Sequence, residues 1–336
     1  MSDVTIAEMT AELKMRAPHV VLLGAGASRA ALPHGDAEGR RLPLMGDFSD
    51  VVPIGELLDR AAIEYRGRNF EELFSSICEE PALAQVRNQL ERTIYDYFAS
   101  LSLPQHPTLY DHLILSLRRK DVIATFNWDP FLMQAVRRNR LRETEIPRIL
   151  FLHGNVAAGY CRRDGVHGPR GAICSRCSGR FEPYPLLYPV TAKSYADHPA
   201  IADAWGMAEA SMKSAFWVTV FGYSAPATDA AAVQLLLDGW GGSEARKYEE
   251  FEIVDVRPES ELVASWDRFI FESHYEVHTS VYDSWLFNHP RRTGEAYINS
   301  YLEARFIDAN PIPKDASFED LWKWCQPLLD RERQET

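Results

Sequence analysis

Residues 19–28 read HVVLLGAGAS, an apolar run that ends in alternating glycines. The run is short and starts with β-branched residues, so 20–23 predicts a buried strand rather than a helix. Gly24 and Gly26 then form a tight turn. With no side chains in the way, phosphate groups can approach backbone N–H groups at the start of the next helix, where the helix end carries partial positive charge. A dinucleotide fingerprint would place a third glycine where Arg29 stands. Strand-to-helix turns also carry glycine for structural reasons alone, so the surrounding chain has to decide.

Outward from the turn, 31–47 (ALPHGDAEGRRLPLMGD) is rich in Gly, Pro and charge and reads as a long loop. Three segments, GELLDRAAIEY, FEELFSSICEE and VRNQLERTIYDYFASL, then carry apolar residues at helical spacing. Strand signals return in DVIATFNWD from Asp121, in RILFLHGN, in AFWVTVFGYS and in FEIVDVRP. Strands alternating with helices predict an α/β fold, a Rossmann-like parallel sheet, in which ligands gather at the carboxyl ends of the strands. Those ends supply Asn127 with Asp129, His153 with Gly154, the triplet Gly222, Tyr223 and Ser224, and Asp255. The organisation expected is an N-terminal helix in 1–18, a Rossmann-like domain over 19–260, and a helical and aromatic C-terminal segment over 261–336. Within the domain, 46–104 is a helical insertion and 159–190 a small zinc-binding insertion.

Composition narrows the function classes. The chain has 336 residues, 46% apolar and 25% charged, with a formal net charge of -12. An acidic surface has no general attraction for nucleic-acid phosphates or anionic membranes, so neither is an expected partner. No apolar stretch approaches a membrane span and the first residues lack a signal-peptide core, which points to the cytoplasm. Five cysteines, three of them between 161 and 177, suit a reducing compartment and a metal site better than a disulfide framework.

Two constellations carry chemistry. Cys174 and Cys177 have the spacing at which two thiolates reach one tetrahedral ion, and Cys161 offers a third ligand. The fourth is Asp164, placed where a second Cys would complete another Cys-x2-Cys pair, or His167, the chemically better donor. Asn127 can hold a ribose hydroxyl or a water with its donor and acceptor ends, and His153 can accept a proton near neutral pH. The same Asn127 and Asp129 would equally serve as a turn or a cap on a helix starting at Pro130.

Four ordered segments together resemble the sirtuin superfamily, and more closely its bacterial NAD-consuming branch associated with antiphage defence. They are GAGAS at 24–28, TFNWD at 125–129, LHGN at 152–155 and FGYSAPATD at 221–229. The resemblance implies Asn127 and Asp129 at the nicotinamide and ribose, and His153 as the base. It implies Gly24, Ala25, Gly26 and Ser28 around the phosphates, with Gly222, Ser224 and Asp255 at the adenosine half. A zinc module lies at the same place in the chain order of sirtuins, so a structural zinc held by Cys161, Cys174, Cys177 and Asp164 is expected. The Gly-Ile-Pro-Asp-Phe-Arg segment of protein-deacylating sirtuins is missing, Phe126 stands for their Gln and Trp128 for their Ile.

A pocket that admits water but channels no acyl group favours hydrolysis of NAD to nicotinamide and ADP-ribose. The expected function is therefore an NAD glycohydrolase, a triggered effector of defence restrained by homo-oligomerisation or by a partner protein. The alternatives are an NAD-dependent protein deacylase and a non-catalytic NAD or ADP-ribose binding subunit.

Overall fold

A computed structural model describes residues 3–190, 195–225 and 229–335. Its strands are β1 (His19–Leu23), β2 (Val122–Thr125), β3 (Arg148–Phe151), β4 (Ala158–Cys161), β5 (Val166–Pro169), β6 (Glu182–Pro183), β7 (Trp217–Phe221), β8 (Glu250–Val254) and β9 (Tyr275–His278). Six of them form one sheet in the order β3-β2-β1-β7-β8-β9, and every neighbouring pair is parallel. The chain builds outward from β1 to β3, then returns to the centre and builds the other way. This is the doubly wound Rossmann order, and its reversal lies between β1 and β7.

β1 is fully buried because both of its faces are covered. Val21 and Leu23 enter a core shared with the helices of 48–138 and the C-terminal helix Phe318–Arg333, whereas Val20 and Leu22 enter a second core. The second core is built on the helices Pro199–Ser214, Ala230–Trp240 and Glu259–Trp266. Strand alternation thus sorts one apolar run into two layers.

The helical insertion forms largely where the apolar spacing places it, as Gly55–Arg60, Phe70–Glu79 and Ala84–Ser100, with a short helix Phe48–Val51 before them. Asn69 caps the second of these by accepting from the Glu71 N–H at 2.9 Å. β4, β5 and β6 make a separate antiparallel sheet around Cys161, Cys174 and Phe181.

The sheet also continues beyond residue 260, where only helical and aromatic structure is expected from the sequence. β9 has four half-buried residues and pairs along β8 from Phe251↔Tyr275 to Val254↔His278. A short edge strand with mixed polarity leaves no apolar run to read. Further on, the chain folds back over its own beginning: Val4 bridges Ile307, and buried Arg291 and Arg292 both bind Glu332, at 2.6 and 2.8 Å. Among the described residues no helix is long and apolar enough to cross a membrane.

Candidate active site

All six strands of the main sheet end at one cleft of about 430 Å³. Gly24 follows β1, Asn127 follows β2, His153 follows β3, Gly222 follows β7, Asp255 follows β8 and Thr279 follows β9, and each lines the cavity. Ala25, Gly26, Ser28, Asp129 and Ser224 line it as well, so every residue expected at the nucleotide is brought to a single place. Of the 221–229 loop, residues 226–228 lie outside the described set.

The glycines are dictated by backbone contact. A Cβ on Gly24 would lie 2.4 Å from the Gly222 carbonyl oxygen, and one on Gly26 would lie 2.8 Å from the Gly222 Cα. Gly222 itself has φ +62° and faces the Ala27 backbone nitrogen. The two loops at the reversal point are therefore pressed together, and the Gly26 N–H donates to the Gly222 carbonyl at 3.0 Å. That N–H, one of those expected to cradle phosphate, is already engaged, as is the Ala27 N–H on the Gly24 carbonyl at 3.0 Å.

Next to this turn lies a buried polar knot. Ser28 donates to Asp129 Oδ2 at 2.6 Å and accepts from Asn127 Nδ2 at 2.9 Å; its remaining neighbour, the Tyr110 hydroxyl at 2.7 Å, then acts as donor. The Ser28 hydroxyl is thereby saturated, which makes it a positioning group. Asn127 Nδ2 also donates to the Gly24 carbonyl at 2.8 Å. Both amide hydrogens are spent, and the expectation that Asn127 offers a donor and an acceptor reduces to its acceptor oxygen alone. Asn155, fully buried, donates to the Asp129 carbonyl at 2.6 Å and fixes the same segment from behind.

Burial pushes the Asp129 carboxyl up to about 6, while the bonds from Ser28 and the Phe131 N–H pull the other way. A carboxyl whose pKa rises on folding favours the folded state when protonated. Its stabilising contribution is complete below the unfolded value of 3.8 and is lost as pH rises through about 6. Urea titrations should therefore show the stability of Asp129→Asn gaining on wild type by about 2 kcal/mol between pH 4 and pH 7. A difference that stays flat with pH would place Asp129 in a solvated setting.

His153 is held in aromatic surroundings. Phe126 meets its ring edge-on with centroids 4.9 Å apart, and Tyr195 lies nearly parallel at 5.9 Å. Phe126 in turn stacks on Tyr223 at 3.9 Å, and the Tyr223 hydroxyl donates to Asp229 Oδ2 at 3.1 Å. At the far end Asp255 is paired with Arg257 at 3.2 Å. Trp128 packs against Phe98 and Tyr188 and carries a buried indole N–H with no hydrogen-bond partner.

Leu42, Pro43, Leu44, Met45, Phe48 and Phe98 close the remaining side as an apolar wall. Arg29 holds that wall in place by donating to the Leu42 carbonyl at 2.7 Å and to Asp47 at 2.5 Å. The side chain that breaks the glycine fingerprint thus anchors the long loop. Tyr110 escapes a reading by motif, and Asn155, Tyr223 and Arg257 lie within LHGN, FGYSAPATD and FEIVDVRP without those motifs disclosing what they bind. Tyr110 sits in an apolar helical stretch that reads as core, and only its hydroxyl marks it.

The cysteine cluster is elsewhere, since none of its members lines the cleft. Cys161, Asp164, Cys174 and Cys177 present ligand atoms that all lie within 4.8 Å of one another. Asp164 Oδ2 is 3.4 Å from Cys161 Sγ and 3.3 Å from Cys174 Sγ, so Asp164 completes the set. His167 instead bonds the Tyr184 hydroxyl through Nδ1. The turn after Cys174 is closed by the Ser178 N–H on the Cys174 carbonyl at 2.9 Å. Three thiols and a carboxylate surrounding one point form a closed zinc-binding cluster of the structural kind.

No protein-family model matches the chain, and no curated protein matches it. Solved structures similar to it include a Sir2 homolog in complex with NAD, at 14% identity over 87% of this chain and 93% of that chain, with a TM-score of 0.42. Another, described as bearing on the mechanism and regulation of Sir2 enzymes, has 15% identity, 86% and 96% coverage and a TM-score of 0.41. A third, concerned with sirtuin substrate affinity, has 16% identity, 78% and 88% coverage and a TM-score of 0.38.

Proposed function

We propose that the cleft binds NAD and hydrolyses its nicotinamide–ribose bond, giving nicotinamide, ADP-ribose and a proton. The observation that carries this reading is the convergence of Asn127, Asp129 and His153 beside the pressed glycine turn, within one largely apolar cavity. NAD spans its two halves across the reversal point of a doubly wound sheet, where this cavity lies.

The bond to a cationic pyridinium is already weak, so the protein's task is to stabilise an oxocarbenium-like sugar and to choose the attacking group. Asn127 presents only its Oδ1, which accepts from a ribose hydroxyl or from the attacking water. His153 takes the proton that the water loses as its oxygen bonds to the ribose carbon, and the bonding pair leaves with nicotinamide. Asp129, once ionised above pH of about 6, places negative charge near the pyridinium and the developing sugar cation. Asp255 serves the adenosine ribose, with Arg257 holding its carboxylate.

The loop that follows the glycine turn, where the resemblance would place the missing segment in chain order, supplies the apolar wall of 42–48 pinned by Arg29. Water, which needs little room, is then the acceptor. A cell would be harmed by constant turnover, so activity is restrained by oligomerisation or by a partner protein in the cytoplasm until a trigger arrives, in keeping with a role in antiphage defence.

The test offers NAD with and without an acetyl-lysine peptide and measures nicotinamide release and the acylation of ADP-ribose. Release independent of peptide is expected. Peptide-dependent release with acyl transfer would replace hydrolysis by deacylation.

A further inference from the structure

The edge of the sheet beyond the cleft carries a cluster that the proposed reaction does not use. On one face, side chains from β1, β7, β8 and β9 form a continuous polar row through the interior. His19 Nε2 meets Thr219 Oγ1 at 2.7 Å, and Thr219 donates to Glu252 Oε2 at 2.8 Å. Glu252 Oε1 and Glu276 Oε2 then face His278 Nε2 at 3.4 and 3.2 Å. Glu252 is fully buried and Glu250, two residues back on the same face, is nearly so. Among the described residues no Lys or Arg forms an ion pair with Glu250, Glu252 or Glu276, and the only basic side chains paired with them are His274 and His278. Buried carboxylates are ordinarily paired with a cation or coordinate a metal.

The geometry separates these two cases. A charge-assisted N–H···O contact closes to about 2.7–2.9 Å. The spacings at His278 are longer, and its buried Nε2 has no well-formed hydrogen bond. Ligand atoms about 2.0–2.1 Å from a tetrahedral zinc ion stand about 3.3 Å apart, which is the spacing found. All three ligand atoms lie within 4.8 Å of one another.

The carboxylates are also held in position from outside, as metal ligands are. The Trp285 N–H donates to Glu252 Oε1 at 2.7 Å, and the Trp285 indole N–H donates to Glu276 Oε1 at 2.9 Å, leaving Oε2 turned toward His278. An imidazole with two carboxylates suits a borderline first-row ion rather than magnesium or calcium, which take oxygen ligands in larger numbers.

We propose that Glu252 Oε1, Glu276 Oε2 and His278 Nε2 bind a divalent transition-metal ion of the zinc class, distinct from the cysteine cluster. The ion fastens β9 to β8. The His278 carbonyl accepts the Asp255 N–H at 3.0 Å, and the next residue, Thr279, lines the cleft, so the ion shapes the Asp255 end of the cavity.

Zinc retained per chain, measured by elemental analysis after equilibration with buffered zinc and gel filtration, tests the proposal. Wild type should hold a second ion beyond the one that Cys174→Ser removes. Glu276→Gln and His278→Gln should each lose that second ion and keep the first, with circular dichroism unchanged. Glu276 is half-exposed, so its variant carries the test if His278→Gln fails to fold. Wild type holding no ion beyond the one lost in Cys174→Ser would overturn the proposal, as would retention of both ions by Glu276→Gln.

Discussion

Asn127→Ala should lower NAD turnover by a factor on the order of 10²–10³ under any condition in which wild type is active, while nucleotide affinity changes little. The side chain is almost fully buried, and both of its amide hydrogens are committed to Gly24 and Ser28. What it offers a substrate is one fixed acceptor oxygen. Truncation removes that oxygen, takes the Asn127 donor away from the Gly24 carbonyl and leaves Ser28 with the Tyr110 hydroxyl as its remaining donor.

Asn127→Asp sharpens the point. It keeps an acceptor oxygen but has no N–H, and it puts a second carboxylate beside Ser28, which already binds Asp129. It should fail as badly as the alanine variant. His153→Ala should lose activity to a similar extent, because a positioned base contributes about 10²–10⁴-fold. Steady-state kinetics with circular dichroism controls decides the matter. Near-normal turnover in Asn127→Asp would mean that the amide hydrogens position nothing that matters.

The second large effect concerns stability. Gly222→Ala should leave little soluble protein or lower the Tm by on the order of 10 °C. The backbone at Gly222 has φ +62°, which costs a side-chain-bearing residue roughly 1–2 kcal/mol. The larger cost is steric: the added Cβ would lie 2.2 Å from the Ala27 nitrogen and 2.5 Å from the Gly26 carbonyl carbon, both backbone atoms that cannot rotate away. Relief requires the two loops to part, which breaks the Gly26–Gly222 hydrogen bond and opens the cleft. Gly154→Ala has the same problem, with φ +85° and a Cβ 1.8 Å from the Pro185 carbonyl oxygen.

Gly39 supplies the control, since it has φ +77° with nothing within 4 Å of a Cβ. Gly39→Ala should cost only about 1 kcal/mol, the backbone part of the penalty. Thermal melts of the three variants separate conformation from contact. Equal losses at Gly39 and Gly222 would show that the loops are not pressed together.

How far the sequence discloses all this depends on the kind of interaction. β1 is legible because burial on both faces makes it a continuous apolar run, and β2 and β7 are nearly so, while β8 shows Phe251, Ile253 and Val254 with two buried glutamates among them. β9 is not, because half-buried Tyr275, Glu276, Val277 and His278 carry no pattern beyond alternation over four residues. The last segment is illegible for another reason. Arg291 and Arg292 bind Glu332 forty or more residues away, and such long-range pairs leave no periodicity.

The cleft is legible at its strand ends, where polar residues interrupt apolar runs, as at Asn127 and His153. Its supporting residues are hidden. Tyr110 and Asn155 matter only through bonds made in three dimensions, to Ser28 and Asp129. The choice between Asp164 and His167 at the cysteine cluster likewise turns on where β5 points its side chains, and His167 is turned toward Tyr184.

Hydrolysis in the cleft is tested most directly by the fate of NAD incubated with the purified protein, alone and in cell extract, with Asn127→Ala and His153→Ala alongside. Equimolar free nicotinamide and ADP-ribose are expected in at least one wild-type mixture, and neither product in the variants. NAD left intact in every mixture, or cleaved equally by wild type and both variants, would contradict it.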